Sequence, residues 1–257
     1  MILCLDIGNS HIFGGLFDDQ ELKLTFRKPT RDNTSSDELG LFFRSVLREN
    51  GFDQNDVSEV ALCSVVPQLV YSISASIQKY FDIQPFILKA GVKTGLKILY
   101  RNPLEVGADR IAGAIAGVHK FPGEDLLIID LGTATTVEVI RAGREYMGGV
   151  IMPGLSLSMQ ALDQGTARLS SVELLRPATC LGQTTAASIQ SGLYHGHLGA
   201  LREICDGLTR EVFVGEEPRA IATGGFAHLF RDTGLFGEIV PDLVLRGLLT
   251  ALAMNQG

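Results

Sequence analysis

Asp6 and Asp130 are placed to do similar chemistry twice. Each closes an apolar run and opens a glycine turn: Ile2-Leu3-Cys4-Leu5-Asp6-Ile7-Gly8-Asn9-Ser10, then Leu126-Leu127-Ile128-Ile129-Asp130-Leu131-Gly132-Thr133. A buried strand ending in a carboxylate, followed by a glycine without Cβ and by short hydroxyl or amide side chains, makes a turn whose backbone N–H groups can face a polyphosphate. The carboxylate then holds a cation or a water and leaves the phosphate to the amides. A tight turn after a core strand would explain one such segment equally well. Two copies with matching surroundings point to a duplicated nucleotide-binding fold.

The elements that must position these turns also repeat. After Asp6 come the β-prone run Ile12-Phe13-Gly14-Gly15-Leu16-Phe17, a polar turn at Asp18-Asp19-Gln20, and the strand Glu21-Leu22-Lys23-Leu24-Thr25-Phe26. After Asp130 come Thr135-Thr136-Val137-Glu138-Val139-Ile140, a turn at Ala142-Gly143-Arg144, and Glu145-Tyr146-Met147. Each half opens as strand, turn, strand, hairpin, strand. The halves are residues 1–115 and 116–257.

Between the two openings the pattern alternates strand and helix, as in α/β layers. Ser35 and Glu38 form a capping-box signature for a helix running to Asn50 and stopping at Gly51. Val60–Val66 reads as a buried strand, Pro67 opens a helix carrying Leu69, Val70, Ile73 and Ile77, and Pro85–Leu88 returns as a strand. Pro103–Phe121 reads as one helix connecting the halves. Its Gly113 and Gly117 would each cost about 1 kcal/mol relative to Ala, so close backbone packing is expected there. Later, Gly148–Gly154 is expected to break regular structure before a helix containing Leu155, Leu157, Met159 and Leu162. A long helix from about Thr184 to Glu211, a strand at Ala220–Ala222 leading through Thr223-Gly224-Gly225 into a helix, and a final helix from Pro241 complete the chain.

Composition narrows the function classes. The chain has 257 residues, 46% hydrophobic and 20% charged, with 22 Lys+Arg against 29 Asp+Glu for a net charge of −7. That is globular composition with no basic run to track a nucleic-acid backbone. No apolar stretch reaches the length of a membrane span and no basic leader precedes Asp6, which predicts a cytosolic protein without membrane or nucleic-acid partners. Cys4, Cys63, Cys180 and Cys205 form no Cys-x-x-Cys pair and are expected to be buried, reduced thiols. His195 and His197, two apart on a helix, fall on different faces, which argues against a metal pair.

The paired turns and the late Thr223-Gly224-Gly225 resemble the actin/hexokinase/heat-shock ATPase superfamily. The resemblance implies a duplicated actin-like (ribonuclease H-like) α/β fold, two similar mixed-sheet halves around an ATP cleft. Neither Gly-x4-Gly-Lys-Ser/Thr nor Gly-x-Gly-x-x-Gly occurs, so a P-loop or Rossmann site has no support. With no phosphate-loop lysine, Mg²⁺ and a second cation near Asp6 and Asp130 are the simplest neutralisers of a triphosphate. The match narrows at Tyr100-Arg101-Asn102-Pro103-Leu104-Glu105-Val106-Gly107-Ala108-Asp109-Arg110. Together with Asp130-Leu-Gly-Thr-Ala-Thr-Thr and Gly148-Gly-Val-Ile-Met-Pro-Gly, this segment is similar to type III pantothenate kinases, in order and spacing, from residue 1 to about 250.

That resemblance implies transfer of the ATP γ-phosphoryl group to pantothenate, the first step of coenzyme A synthesis. It implies Asp109 as the general base that accepts the hydroxyl proton. Read by itself, Asp109 is equally a first-turn acid stabilised by a helix dipole, and the two roles are compatible. Tyr100, Gly107, Ala108, Asp109 and Arg110 match the pantothenate site, with Tyr100 as an aromatic wall and Arg110 as partner for the substrate carboxylate. Asp6, Gly8, Asn9 and Ser10 match the first ATP-phosphate turn, where Ser10 replaces the usual Thr and keeps its hydroxyl. Thr133 matches the second turn, and Gly224 and Gly225 the glycine pair beside adenosine. Asp130 resembles the ligand of a monovalent cation, K⁺ or NH₄⁺; its bland reading is a carboxylate satisfied by turn amides. Thr185, or Thr184 beside it, aligns with a threonine that reaches pantothenate across a homodimer interface. The alternatives are a catalytically inactive transcription-accessory regulator of the same fold and another small-molecule kinase of the superfamily.

Overall fold

The computed structural model describes residues 1–214 and 217–256. The chain forms two compact units: Met1–Leu96 with Arg101–His119 and Asp242–Gly257, and Lys97–Tyr100 with Lys120–Pro241. Packing thus groups the chain differently from the sequence halves expected at 1–115 and 116–257. The last helix belongs with the first unit, and a four-residue segment before the connector belongs with the second.

In the first unit, β1 (Ile2–Ile7) pairs antiparallel with β2 (His11–Asp18), which pairs with β3 (Glu21–Pro29). On its other side β1 runs parallel to β4 (Glu59–Ser64), which is followed by β5 (Phe86–Ile87), giving the order β3-β2-β1-β4-β5. Leu3, Leu5 and Ile7 alternate onto one face, where they join α1 (Ser36–Glu49) and α2 (Pro67–Phe81) through Leu39, Phe43, Leu69 and Ile73. The Ser35–Glu38 capping box forms in both directions, and α1 ends at Asn50 before Gly51, whose φ is +86°. Cys4 and Asp6 point to the opposite face, where Gly15, paired with Cys4, meets Leu245 of the C-terminal helix Leu243–Asn255.

The connector is not one helix. Pro103–Glu105 is a short 3₁₀ turn, Val106 is extended, and α3 spans Ala108–Lys120. Breaking there lets a new helix N-terminus begin at Gly107-Ala108-Asp109. Close packing does occur on α3, but the critical glycine lies on the other helix. A Cβ on Gly247 would overlap the Ala112 carbonyl, whereas one on Gly113 would sit 3.9 Å from Leu243.

The second unit repeats the sheet. β7 (Leu126–Leu131) lies between antiparallel β8 (Ala134–Arg141) and parallel β10 (Arg219–Thr223), with β9 (Glu145–Pro153) beyond β8 and β11 (Glu238–Ile239) beyond β10. Read from β9, the order β9-β8-β7-β10-β11 reproduces the first sheet, and one extra strand, β6 (Lys97–Ile98), pairs with β9. Both second strands shift register at the same point, between Leu16 and Phe17 and between Val139 and Ile140. Asp19 and Arg144 both turn their hairpins with left-handed φ, 55° and 59°.

Gly148–Gly154 proves more regular than its glycines suggested. β9 runs through it because Gly148, at φ +124°, accommodates the register shift, and Gly149 lets the strand lie tight against the Val137 carbonyl. After β10 the chain forms a 3₁₀ segment, Ala227–Thr233, in place of the expected α-helix; Asp232 departs from helical angles and Gly234 ends it at φ +73°. α4 (Leu155–Gly165) and α5 (Thr185–Val212) follow the expected pattern. Leu201 of α5 is buried with Leu127, Ile129, Leu131, Val137 and Val139, and Leu193 packs against them, so these two face the unit's own core, while Ile189 is buried outside that cluster. His197 is buried against the Thr135 hydroxyl at 3.0 Å while His195 is exposed. Cys180 is exposed, unlike the other three cysteines; it lies in the coil before α5, where flanking apolar residues such as Leu181 also face solvent. The C-terminal helix Leu243–Asn255 is designated α6.

Gly247→Ala and Gly113→Ala should therefore differ in sign. Gly247→Ala forces α3 and α6 apart and is expected to destabilise by about 1–3 kcal/mol, while Gly113→Ala is expected to gain up to about 1 kcal/mol from helix propensity. Chemical denaturation of both variants checks the contrast; equal effects would contradict it.

Candidate active site

Each half-site is built from a strand end, a turn and a clamp. In the first unit the turn Gly8-Asn9-Ser10 joins β1 to β2, and the Gly8 amide donates to the His11 carbonyl at 3.1 Å. Thr30, directly after β3, holds it: its hydroxyl donates to the Gly8 carbonyl at 2.7 Å and its amide to the Ser10 carbonyl at 2.9 Å. The second turn is one residue shorter, Gly132-Thr133, with the Gly132 amide donating to the Ala134 carbonyl at 3.2 Å. Its clamp is Gly154, directly after β9, whose amide donates to the Thr133 carbonyl at 3.2 Å and whose Cα lies too close to that carbonyl for any side chain. The glycine there makes room for the protein's own turn.

These clamps are a third repeated feature that the sequence reading missed. Pro29 pairs with His11 and Pro153 with Ala134, so both third strands end in proline and the next residue's amide grips the turn. The signal was present as Pro29-Thr30 and Pro153-Gly154. A dipeptide repeat of that kind becomes readable only once the strand registers are known.

Asp6 is half-buried and lies directly opposite Cys63 of β4. The fully buried Cys63 thiol donates to Asp6 Oδ1 at 3.5 Å. Burial, then the negative charges of Asp6 and Asp109, push that thiol well above its ordinary range, so at neutral pH it is a donor only. Asp6 is bonded to the buried thiol, Asp109 bears on it only through its charge, and the turn carboxylate and the predicted base both belong to the first unit.

Asp109 sits in the first turn of α3, where Oδ1 accepts the Arg110 amide at 2.8 Å and the Ile111 amide donates to the Gly107 carbonyl at 3.1 Å. The folded-back carboxylate occupies the space a Gly107 side chain would need. Gly107 is thus required by the position of Asp109. Gly107, Ala108, Asp109 and Arg110 are all half-buried, neither sealed in the core nor free in solvent.

In the second unit Asp130 lies opposite Thr223 of β10, in the register that places Asp6 opposite Cys63. Gly224, at φ +88°, brings its backbone against Leu131 and the Asp130 carboxylate so closely that a Cβ would overlap both. Gly225 is exposed and has open space around its Cα. The expected glycine pair therefore splits: Gly224 shapes the Asp130 site, and Gly225 is the residue that can admit a ligand. Tyr100 follows β6 and packs its ring on Gly148, 3.3 Å from where a Cβ would be, with its centroid 6.5 Å from that of Tyr146. Thr185 begins α5, is exposed, and lines a groove of about 700 Å³ with Pro153, Leu157, Leu162 and Ile189. Thr184 caps that helix by accepting the Ala187 amide at 3.1 Å, which commits its hydroxyl locally and leaves Thr185 the better candidate of the two.

A duplicated mixed sheet with a carboxylate turn in each half is the architecture of the actin-like fold. A ROK hexokinase from Thermus thermophilus superposes over 100% of this chain and 99% of its own with a TM-score of 0.50 at 17% identity. The family model for type III pantothenate kinase matches residues 2–207. A type III pantothenate kinase of Legionella pneumophila (strain Paris) is 53% identical over 255 residues, covering 99% of each chain. Type III pantothenate kinase 1 of Francisella tularensis subsp. holarctica (strain OSU18) is 46% identical over 256 residues, covering 100% of each. The chain belongs to the type III pantothenate kinase family.

The burial pattern sets the thiol chemistry. Burial pushes Cys205 up to about 11 and Cys4 and Cys63 further. A disulfide reagent should titrate one thiol rapidly in the native protein, Cys180, and all four after denaturation. Rapid loss of a second native thiol would contradict the shielding of Cys63 beneath Asp6.

Proposed function

We propose that this chain phosphorylates the primary hydroxyl of pantothenate with ATP, giving 4'-phosphopantothenate, the first step of coenzyme A biosynthesis. The observation that carries the reading is membership of this family along the whole chain, with Asp6 at the end of β1 and Asp109 at the head of α3 in one compact unit. A phosphoryl-transfer site needs a proton acceptor close to the group that manages phosphate charge. Asp109 is that acceptor: it takes the hydroxyl proton as the oxygen attacks the γ-phosphorus and ADP departs. Its Oδ1 accepts the Arg110 amide in the first turn of α3, the end of a helix dipole that suits a negative charge. Tyr100 supplies an apolar wall for the acceptor, Gly107 and Ala108 let it approach the helix head, and Arg110 pairs with its carboxylate.

The turn Gly8-Asn9-Ser10 and Thr133 bind the ATP phosphates, and Gly225, with Gly224 shaping the backbone before it, lies beside adenosine. No group of three or more His, Cys, Asp or Glu side chains among the described residues could hold a metal by itself. Mg²⁺ arrives with ATP in this reading, ligated by phosphates, water and Asp6. Bound there, Mg²⁺ would neutralise charge on the transferred group. Asp130, pressed against backbone at Leu131 and Gly224, suits a weakly hydrated monovalent cation, K⁺ or NH₄⁺. We further propose a homodimer in which Thr185 reaches the partner's pantothenate; its exposure beside an apolar groove supports this. Four free cysteines suit a reducing cytoplasm. No helix among the described residues is long and apolar enough to cross a membrane.

Purified protein should release ADP only with pantothenate present, and faster with K⁺ than with Na⁺. Asp109→Asn should lower kcat by roughly 10²–10⁴-fold with little change in stability. ADP release with a different acceptor alone would redirect the assignment to another kinase of the fold, and undiminished turnover by Asp109→Asn would reject Asp109 as the base. Gly107→Ala offers a separate check: the displaced atom is the end of a short side chain, so thermal stability should hold while turnover falls as the Asp109 carboxylate is turned aside. Full activity in that variant would contradict the requirement for the folded-back carboxylate.

A further inference from the structure

Glu138 is a carboxylate 2% exposed in the middle of β8, and nothing in the reaction above uses it. A carboxylate is costly to bury and persists only when it is held by hydrogen bonds. Glu138 accepts a hydrogen bond from the hydroxyl of Tyr146, itself fully buried on β9. The first unit provides an internal comparison. Cys4 pairs with Gly15 as Ile128 pairs with Glu138, and Phe17 pairs with Leu22 as Ile140 pairs with Tyr146. The same two positions are therefore Gly15 and Leu22 in one sheet, Glu138 and Tyr146 in the other. The shared sheet does not require a carboxylate–phenol pair there, so the pair serves something particular to the second unit.

What is particular to the second unit is β6, the strand absent from the first sheet. Ile98 of β6 pairs with Tyr146, and the Leu99 amide donates to the Tyr146 carbonyl at 2.9 Å, so the chain reaching Tyr100 is tied to the Tyr146 backbone. The Tyr100 ring then lies over Gly148 with its centroid 6.5 Å from that of Tyr146, at 53°. Glu138 is also backed by Gly149, where a Cβ would stand 3.0 Å from Oε2. The Glu138 carboxylate, the Tyr146 phenol and the Tyr100 ring form a chain of contacts from the middle of the sheet to its edge strand.

We propose that Glu138 and Tyr146 are positioning residues for acceptor recognition: the Glu138–Tyr146 hydrogen bond fixes the ring and strand on which Tyr100 is braced. This rests on the reading of Tyr100 as the pantothenate wall. Tyr146→Phe removes one hydroxyl and keeps the ring. It should raise the KM for pantothenate severalfold, about tenfold being the ceiling reached if the whole worth of the lost hydrogen bond is expressed in acceptor binding, with kcat and the KM for ATP changed less than about twofold. In a Tyr100→Ala background the same substitution should leave the KM where Tyr100→Ala alone puts it, because the brace then has nothing to hold.

Glu138→Gln, which retains an acceptor for the phenol, should raise the KM less than Glu138→Ala, and it carries the same cycle if Tyr146→Phe fails to fold. A normal pantothenate KM in folded Tyr146→Phe, or equal increases in both backgrounds, overturns the proposal; a lowered unfolding temperature with kinetics unchanged assigns the pair a purely structural role and overturns it too. If the wild-type protein shows no pantothenate-dependent ADP release, the acceptor reading fails and takes this inference with it. Wild-type turnover together with an unaffected Tyr146→Phe removes this inference alone.

Discussion

Both half-sites depend on a parallel strand pair whose register is fixed by its apolar face. Leu3, Leu5 and Ile7 are fully buried, as are Val60 and Leu62 on the partner strand within about a percent. A one-residue slip of β1 would exchange Leu5 for Asp6 in that layer and place a carboxylate among hydrocarbon. The core therefore holds Asp6 opposite Cys63, and the same register holds Asp130 opposite Thr223. In each case the residue opposite the carboxylate carries a hydrogen-bonding side chain, a thiol in one half and a hydroxyl in the other. The chemistry sits at strand ends because alternation lets the same strand be apolar on one face and acidic on the other.

From that shared arrangement the halves diverge in small steps. One turn has three residues and the other two. One clamp uses a threonine hydroxyl and amide, the other a glycine amide at the head of α4. The first unit gains α3 with Asp109 at its N-terminus, and the second gains β6 leading to Tyr100. Under the function proposed above, duplication supplies two places suited to phosphate, and the added elements supply the proton acceptor and the aromatic wall.

The sequence revealed most where local rules act alone. The carboxylate turns, both hairpins, the Ser35 cap and the span of α5 follow from alternation, turn chemistry and capping. It was least informative where glycine had more than one use. Gly148–Gly154 suggested irregular chain and instead forms a strand, because one glycine takes a register shift and two others admit carbonyls of the protein itself. The connector read as one helix because neither Pro103 nor Gly107 forbids a helix start; that both positions begin separate segments depends on Asp109 folding back over Gly107. Strands of two residues, β5, β6 and β11, carry too little periodicity to be distinguished, and β5 was anticipated only through the apolar run around it. Among site residues, Asp109 and Asp130 lie in structurally demanding positions, whereas Cys63, Thr30 and the Glu138–Tyr146 pair become visible only through contacts between segments distant in sequence.

The position of α6 has a bearing on how the chain is made. Its residues 243–255 pack on β1 and β4, and Gly247 closes on Ala112 of α3. The N-terminal unit is therefore completed by residues that leave the ribosome only after the whole second unit has been made. A growing chain of this protein cannot finish its first unit and move on to the second, as consecutive domains do. The nascent sheet β3-β2-β1-β4-β5 must wait with its Cys4 and Gly15 face lacking its helix while residues 120–241 emerge, and a chain stopped early would leave that face bare however well its second unit had folded.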